Sequence, residues 1–221
     1  MIKFNRVYKV FERDIQALSD ISFEVKRGEF VFITGPSGAG KTTILNLLYR
    51  EDLPTMGAIF VDSLDITHIG TGRLPAYRRG IGFVFQDFKL LFDRPLFENI
   101  ALPLVVRGEN MEYVKKLAQT MIDRIGLTGK ESLNPWHLSG GEKQKAAIAR
   151  ALITSPPILL ADEPTGNLDD YSSWEIMEML TEANRAGTTV IIASHNKEIM
   201  SKLGHRIIRL DKGKVVSDAM G

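Results

Sequence analysis

The chain reads as an α/β protein with a mostly parallel sheet covered by helices on both faces and a helical segment inserted into it. Three observations predict this. Apolar runs of the kind buried on both faces occur at 30–33, 158–161 and 188–193. Segments with helical spacing alternate with them, as in parallel sheets joined by crossover helices. From 95 to about 155 the pattern turns mostly helical.

Each element follows from local chemistry. Residues 21–25 and 30–34 read as short strands around the turn signal Lys26-Arg27-Gly28-Glu29. Residues 42–49 read as a helix with Ile44, Leu45, Leu47 and Leu48 as its apolar side. Strands are expected at 58–61 and 81–85. Residues 112–125 place Val114, Leu117, Met121, Ile122 and Ile125 at helical spacing. Residues 140–153 are rich in helix formers and follow Ser139, a natural cap. A helix over 172–186 should stop at Gly187. Residues 207–210 and 215–216, joined by Asp211-Lys212-Gly213-Lys214, read as a closing hairpin. The whole of 1–221 is expected to be one domain, with 87–156 as the helical insertion.

Composition narrows the function. Of 221 residues 44% are hydrophobic, enough for a sizeable core. The net charge of +1 supplies no global field toward nucleic acid or an acidic bilayer. Cysteine is absent, so no disulfide framework or thiolate metal site is expected. The opening Met1-Ile2-Lys3-Phe4-Asn5-Arg6 lacks the apolar core of a signal peptide. The apolar stretch 100–106 is far shorter than the roughly 20 residues that span a bilayer. Any membrane role is therefore expected to come only through a partner.

Two motifs carry the chemistry. Gly35-Pro36-Ser37-Gly38-Ala39-Gly40-Lys41-Thr42 fits G-x-x-x-x-G-K-[ST] and lies between a buried strand and a helix. The glycines let backbone N–H groups converge on a phosphate without side-chain clash. Lys41 adds a point charge, and Thr42 offers a hydroxyl to Mg²⁺. The helix behind points its positive end at the anion. The second motif is an apolar strand ending in Asp162 and Glu163. At the carboxyl end of a parallel strand both face the ligand crevice. Asp162 suits Mg²⁺ held through water. Glu163 suits a general base toward water, worth about 10²–10⁴ in rate.

With these residues in order, the chain resembles the ATP-binding-cassette (ABC) ATPases over nearly its whole length. Gln86 ends a strand as that family's Q-loop glutamine does. Leu138-Ser139-Gly140-Gly141-Glu142 is similar to its signature, Asn167-Leu168-Asp169 to its D-loop, and Ser194-His195 to its switch histidine. The resemblance implies a P-loop NTPase core of the RecA-like kind, a small N-terminal antiparallel β subdomain and an inserted α-helical subdomain. It implies ATP and Mg²⁺ as cofactors, with Thr42, Gln86 and Asp162 toward the metal. Glu163, His195, Gln86 and Lys41 are the implied catalytic set. Phe11 would offer its ring to adenine, with neighbouring Tyr8 as a rival. Residues 35–42 and Thr43 would hold the phosphates. Ser139, Gly140, Gly141 and Asp169 would meet the ATP of a second copy, giving a homodimer on ATP binding.

Within the family, residues 86–104 and the run 161–170 resemble the branch of lipoprotein-releasing ATPases, macrolide-exporter ATPases and FtsE-type cell-division ATPases. Asp93-Arg94 and Asp169-Asp170 favour the last. That implies an integral membrane partner resembling FtsX, docking near Gln86–Leu104, and a location on the cytoplasmic face of the bacterial inner membrane. It further implies control of cell-wall hydrolysis. Leu91, Phe92, Pro95, Leu96 and Phe97 are the expected docking surface. A lipoprotein or drug transporter is the alternative, and an ATP-locked scaffold with slow hydrolysis another. DNA-repair relatives insert long coiled coils before the signature. The 98 residues from Lys41 to Ser139 leave no room for one, so no nucleic acid is expected. Lys145, Tyr49-Arg50 and Asn196 depart from the family pattern. His68, His137, His205, Trp136 and Trp174 are expected to be structural, and Arg73, Arg78 and Arg79 to form a solvated face.

Overall fold

The computed structural model describes residues 1–166 and 168–221, so Asn167 of the expected D-loop lies outside the described residues. The chain opens with β1 (Ile2–Phe11), β2 (Ile15–Val25) and β3 (Phe30–Thr34), then α1 (Lys41–Tyr49). Next come β4 (Met56–Val61), β5 (Leu64–Asp65), α2 (Leu74–Arg78) and β6 (Ile81–Val84). Three helices follow, α3 (Leu96–Val106), α4 (Met111–Arg124) and α5 (Gly140–Leu152). The remainder is β7 (Ile158–Asp162), α6 (Asp170–Arg185), β8 (Thr189–Ala193), α7 (Lys197–Leu203), β9 (Arg206–Asp211) and β10 (Lys214–Met220).

Two sheets form. One is antiparallel, in the order β2-β1-β4-β5. The other has the order β10-β9-β3-β8-β7-β6 and is parallel except for β10 against β9. The parallel sheet is covered on both faces, as the apolar runs require. In β3, Val31 and Ile33 enter one core with α1 and the antiparallel sheet. Phe30 and Phe32 enter another with α6 and α7. In β7, Ile158 and Leu160 go to the first core, and Leu159 and Ala161 to the second. Period-two alternation thus feeds two cores from one strand.

Helices α3, α4 and α5 build a third core around Leu96, Ile100, Val114, Ile122 and Ala146. Ion pairs Arg124–Glu182 and Lys145–Glu175 (3.0 Å) tie this bundle to α6. The departure Lys145 therefore has a local partner. Tyr49 stacks on Phe83 with centroids 5.1 Å apart. Arg50 closes α1 in the left-handed region at φ 60°, and Asn196 caps α7 by accepting from the Ile199 N–H at 3.1 Å.

Three expectations are corrected. The strand expected over 81–85 ends at Val84. Arg78 is not a solvated residue: its guanidinium donates to the Tyr49 and Arg50 carbonyls at 3.1 and 2.9 Å, closing the end of α1. Leu96 is buried in the helical core and offers no docking surface.

Candidate functional site

The site grows from the β3–α1 junction. Gly40 precedes α1 at φ 101°, and a Cβ there would lie 2.5 Å from Leu18 Cδ2 and 2.8 Å from the Ala17 oxygen. At Gly35 a Cβ would lie 2.4 Å from the Leu210 oxygen. Only glycine fits either place. Gly40 also brings no capping side chain, so the first N–H groups of α1 have no side-chain acceptor. They open on a cavity of about 770 Å³. Orphan donors at a helix start favour an anion.

Gly35, Pro36, Ser37, Gly38 and Gly40 line this cavity, followed by Lys41, Thr42 and Thr43. Ala39 is the exception. Its methyl is buried in the core, and its N–H donates to the Pro36 carbonyl at 3.1 Å. Lys41 Nζ donates to the Gly35 and Pro36 carbonyls at 3.0 and 3.3 Å and stands 3.9 Å from Glu163 Oε1.

The opposite wall comes from strand ends. Asp162 closes β7 and Glu163 follows at φ 46°, its N–H donating to the Ala193 carbonyl at 2.9 Å. That hydrogen bond brings the end of β8 beside Glu163. His195 Nδ1 is 2.9 Å from Glu163 Oε1. Gln86, just past β6, lines the same cavity. The following loop holds Phe88 and Lys89 at φ 64° and 47°, and Arg150 donates to both of their carbonyls, at 2.6 and 2.7 Å.

Asp162 is buried, and among the described residues its Oδ1 has no hydrogen-bond partner. Burial pushes its carboxyl above the usual range, against the pull of the neighbouring Thr42 hydroxyl, and Glu163 adds to the rise. A desolvated carboxylate oxygen beside a hydroxyl and an amide side chain is an all-oxygen donor set that suits Mg²⁺. Among the described residues no group of three or more His, Cys, Asp or Glu could hold a metal ion. Such a cation would need oxygen donors from its ligand and from water, which is how Mg²⁺ is commonly held with phosphates.

Phe11 ends β1 at the cavity rim, 39% exposed, with Lys9 Nζ 4.5 Å from its ring centroid. Tyr8 is not among the lining residues. Ile15, Gln16 and Ala17 of β2 and Gly166 line the cavity too. None of the four was expected. The only available signal was Phe11 itself, since a hairpin partner of its strand must pass nearby.

Ser139, Gly140 and Gly141 stand apart from this cavity. Ser139 caps α5 through a capping box, its hydroxyl accepting from the Glu142 N–H and its own N–H donating to Glu142 Oε2. Lys130 pairs with Glu142 and, with the Ser139 contacts, holds its carboxyl below the usual range. Nothing lies within 4 Å of a Cβ at Gly140. A cleft of about 30 Å³ runs between Gly140, Gln86 and Glu163. Asp169 caps α6, accepting from the Ser172 N–H and hydroxyl at 2.9 and 2.7 Å. The phosphate-type loop and the acidic wall thus share one cavity, and the start of α5 meets its lining residues Gln86 and Glu163 only across the smaller cleft.

Residues 18–166 match the family described as ABC transporter. The chain belongs to this family. The cassette is 45% identical over 218 residues to the cell division ATP-binding protein FtsE of Bacillus subtilis strain 168, covering 99% of this chain and 96% of that protein. It is also similar to MJ0796, a bacterial ABC transporter cassette of known dimeric structure, with a TM-score of 0.93 and 38% identity, over 100% and 98% of the two chains. A dimeric post-hydrolysis state of MJ0796 bound to ADP and Pi gives 0.92 at 37% identity, with the same coverage. The ABC cassette fold, a P-loop NTPase with one mostly parallel and one antiparallel sheet, is therefore the fold of this chain. Among the described residues no helix is long and apolar enough to cross a membrane.

Proposed function

We propose that this ABC cassette is the ATP-hydrolysing subunit of an FtsEX-like complex, closing as a head-to-tail dimer on two ATP molecules to act on a membrane partner in bacterial cell division. The observation that carries the reading is the split site. Lys41, Asp162, Glu163 and His195 converge on one cavity, and among the described residues Ser139, Gly140 and Gly141 at the start of α5 do not line it. The first grips a triphosphate from one side, and the second completes it from another copy.

The roles follow from placement. Backbone N–H groups of residues 35–43 and Lys41 bind and orient the phosphates. Thr42, Asp162 and Gln86 hold Mg²⁺, which when bound neutralises phosphate charge. Glu163, held by His195 and near Lys41, takes the proton from the attacking water. His195 is 69% exposed at its side chain, free to meet the γ-phosphate once a second copy covers it. Ser139 with the N–H groups of Gly140 and Gly141 forms the cradle offered across the interface. Phe11 stacks on adenine beside Ile15. Loss of the γ-phosphate removes the shared contacts and opens the dimer, the differential affinity that a ligand-driven switch requires.

The helical segment 87–156 carries the docking surface for the membrane partner. Its groove of about 450 Å³ lies between the α2–β6 region and α3 and α5. Val105 and Val106 stand exposed near it. Relatedness to FtsE supports an FtsX-like partner that brings the cassette to the cytoplasmic face of the inner membrane. Glu163→Gln tests the clamp. In saturating Mg-ATP it should sediment as a dimer without turning over, and a monomer under those conditions would refute the reading.

A further inference from the structure

We infer that the groove against α3 and α5 selects its occupant by charge: it accepts a short helical segment of the partner that carries carboxylates beside an apolar face. This deepens the docking reading above and rests on it. Five cationic side chains line the groove, Arg78, Arg79, Lys89, Arg107 and Arg150. Among the described residues no Asp or Glu lines it. The whole chain carries 28 Lys and Arg against 27 Asp and Glu, so this local excess is a sorting of charge, not a reflection of composition.

Three of the cations are held in place by backbone carbonyls, not by carboxylates. Arg78 holds the end of α1, Arg150 holds the Phe88 and Lys89 carbonyls, and Arg107 donates to the Arg79 and Thr154 carbonyls. Their positive charge is therefore not cancelled by those contacts. Lys89 has one surface partner, Asp87 at 2.8 Å. Arg79 stands exposed. Between the cations lies an apolar floor that includes Tyr49, Phe83 and Phe85. A concave aromatic floor with a cationic rim fits an amphipathic helix, whose buried stripe and flanking acids match it in turn. A flat anionic bilayer would meet the rim but leave the floor unfilled.

The test uses two fluorescent helical peptides of about three turns with one shared apolar face, one flanked by Glu and the other by Lys. The full chain should bind the Glu peptide at least tenfold more tightly than the Lys peptide at low salt, with the gap shrinking as salt rises. In Arg79→Glu/Lys89→Glu the preference should vanish or reverse. Neither side chain donates to a backbone carbonyl, so the fold should survive, and an unchanged melting temperature checks this. Equal affinity of the two peptides for the wild-type chain overturns charge selection and leaves the docking groove standing. If neither peptide binds, the groove reading falls and this inference with it. Undiminished Glu-peptide binding to the double variant moves the contact elsewhere and refutes the proposal. Tighter binding to phosphatidylglycerol vesicles than to the Glu peptide, lost in the double variant, would make a bilayer the occupant and also refute it.

Discussion

Asp162→Asn should make the nucleotide-free protein more stable while abolishing its response to Mg-ATP. Asp162 is 5% exposed, and its Oδ1 has no partner among the described residues. Leaving a buried polar atom unsatisfied costs about 1–3 kcal/mol, more for a charged one. Asparagine has nearly the same shape and no charge but is still a buried polar group, so the variant should recover only the extra cost of the charge, about 1 kcal/mol near neutral pH. For a chain of 221 residues each kcal/mol moves the melting temperature by about 2–4 °C, so a rise of about 2–4 °C is expected. The gain should depend on pH. Burial raises the folded-state pKa of Asp162 above its unfolded value. Above both values folding must bury the ion, and the cost is present in full. As pH falls through the raised pKa, the folded wild type takes up a proton and recovers that stability. The variant has no such proton to bind, so the gap should close on the acid side. Scanning calorimetry of both proteins at neutral and mildly acid pH, with and without Mg-ATP, reads all of this. At a hundredfold excess over Kd the ligand should add about 2.7 kcal/mol to the wild type and nothing to the variant. A nucleotide-free variant that melts at or below the wild type, or a gap that persists in acid, would refute the assignment of Asp162 as a carboxylate kept bare for a cation.

Other perturbations separate the parts of the site. Gly40→Ala forces a left-handed backbone and a 2.5 Å contact with Leu18, so urea unfolding should show a loss of about 2–5 kcal/mol, and an unchanged midpoint would contradict the packing described. Lys41→Ala should remove measurable ATP binding in titration calorimetry while the fold survives, because in the free protein Lys41 donates to two loop carbonyls and otherwise, among the described residues, pairs with Glu163 across the cavity at 3.9 Å. Glu142→Ala breaks the capping box of α5 and frees Lys130, lowering stability by about 1 kcal/mol. Combining it with Ser139→Ala should cost less than the two single changes added, since both remove one box.

Much of the fold was legible because its signals are local. Buried runs marked β3, β7 and β8, and the apolar spacing of 42–49 marked α1. Ser139 marked the start of α5 before its capping box was seen. β1 and the first half of β2 were not read, and their geometry explains why. Register shifts interrupt their pairing after Phe4 and again after Val7, and Arg6 and Asp20 sit at positive φ. The alternation that identifies a strand is lost there. Ile15, Gln16 and Ala17 went unread as cavity residues for the same reason.

The chemistry of the loop 35–42 and the acidic end of β7 belonged to the sequence, since one turn of helix or one pleat of strand settles where those groups point. Tertiary structure alone decided which of them meet. Glu163 reaches His195, 32 positions away, because β7 runs parallel to β8 with Asp162 opposite Ala193. The five cations of the groove, drawn from residues 78 to 150, likewise share one surface because α5 packs on β6 and α3 packs on α5. Local rules extend over a few residues, while convergence depends on strand register and helix packing, which bring together what the chain keeps far apart.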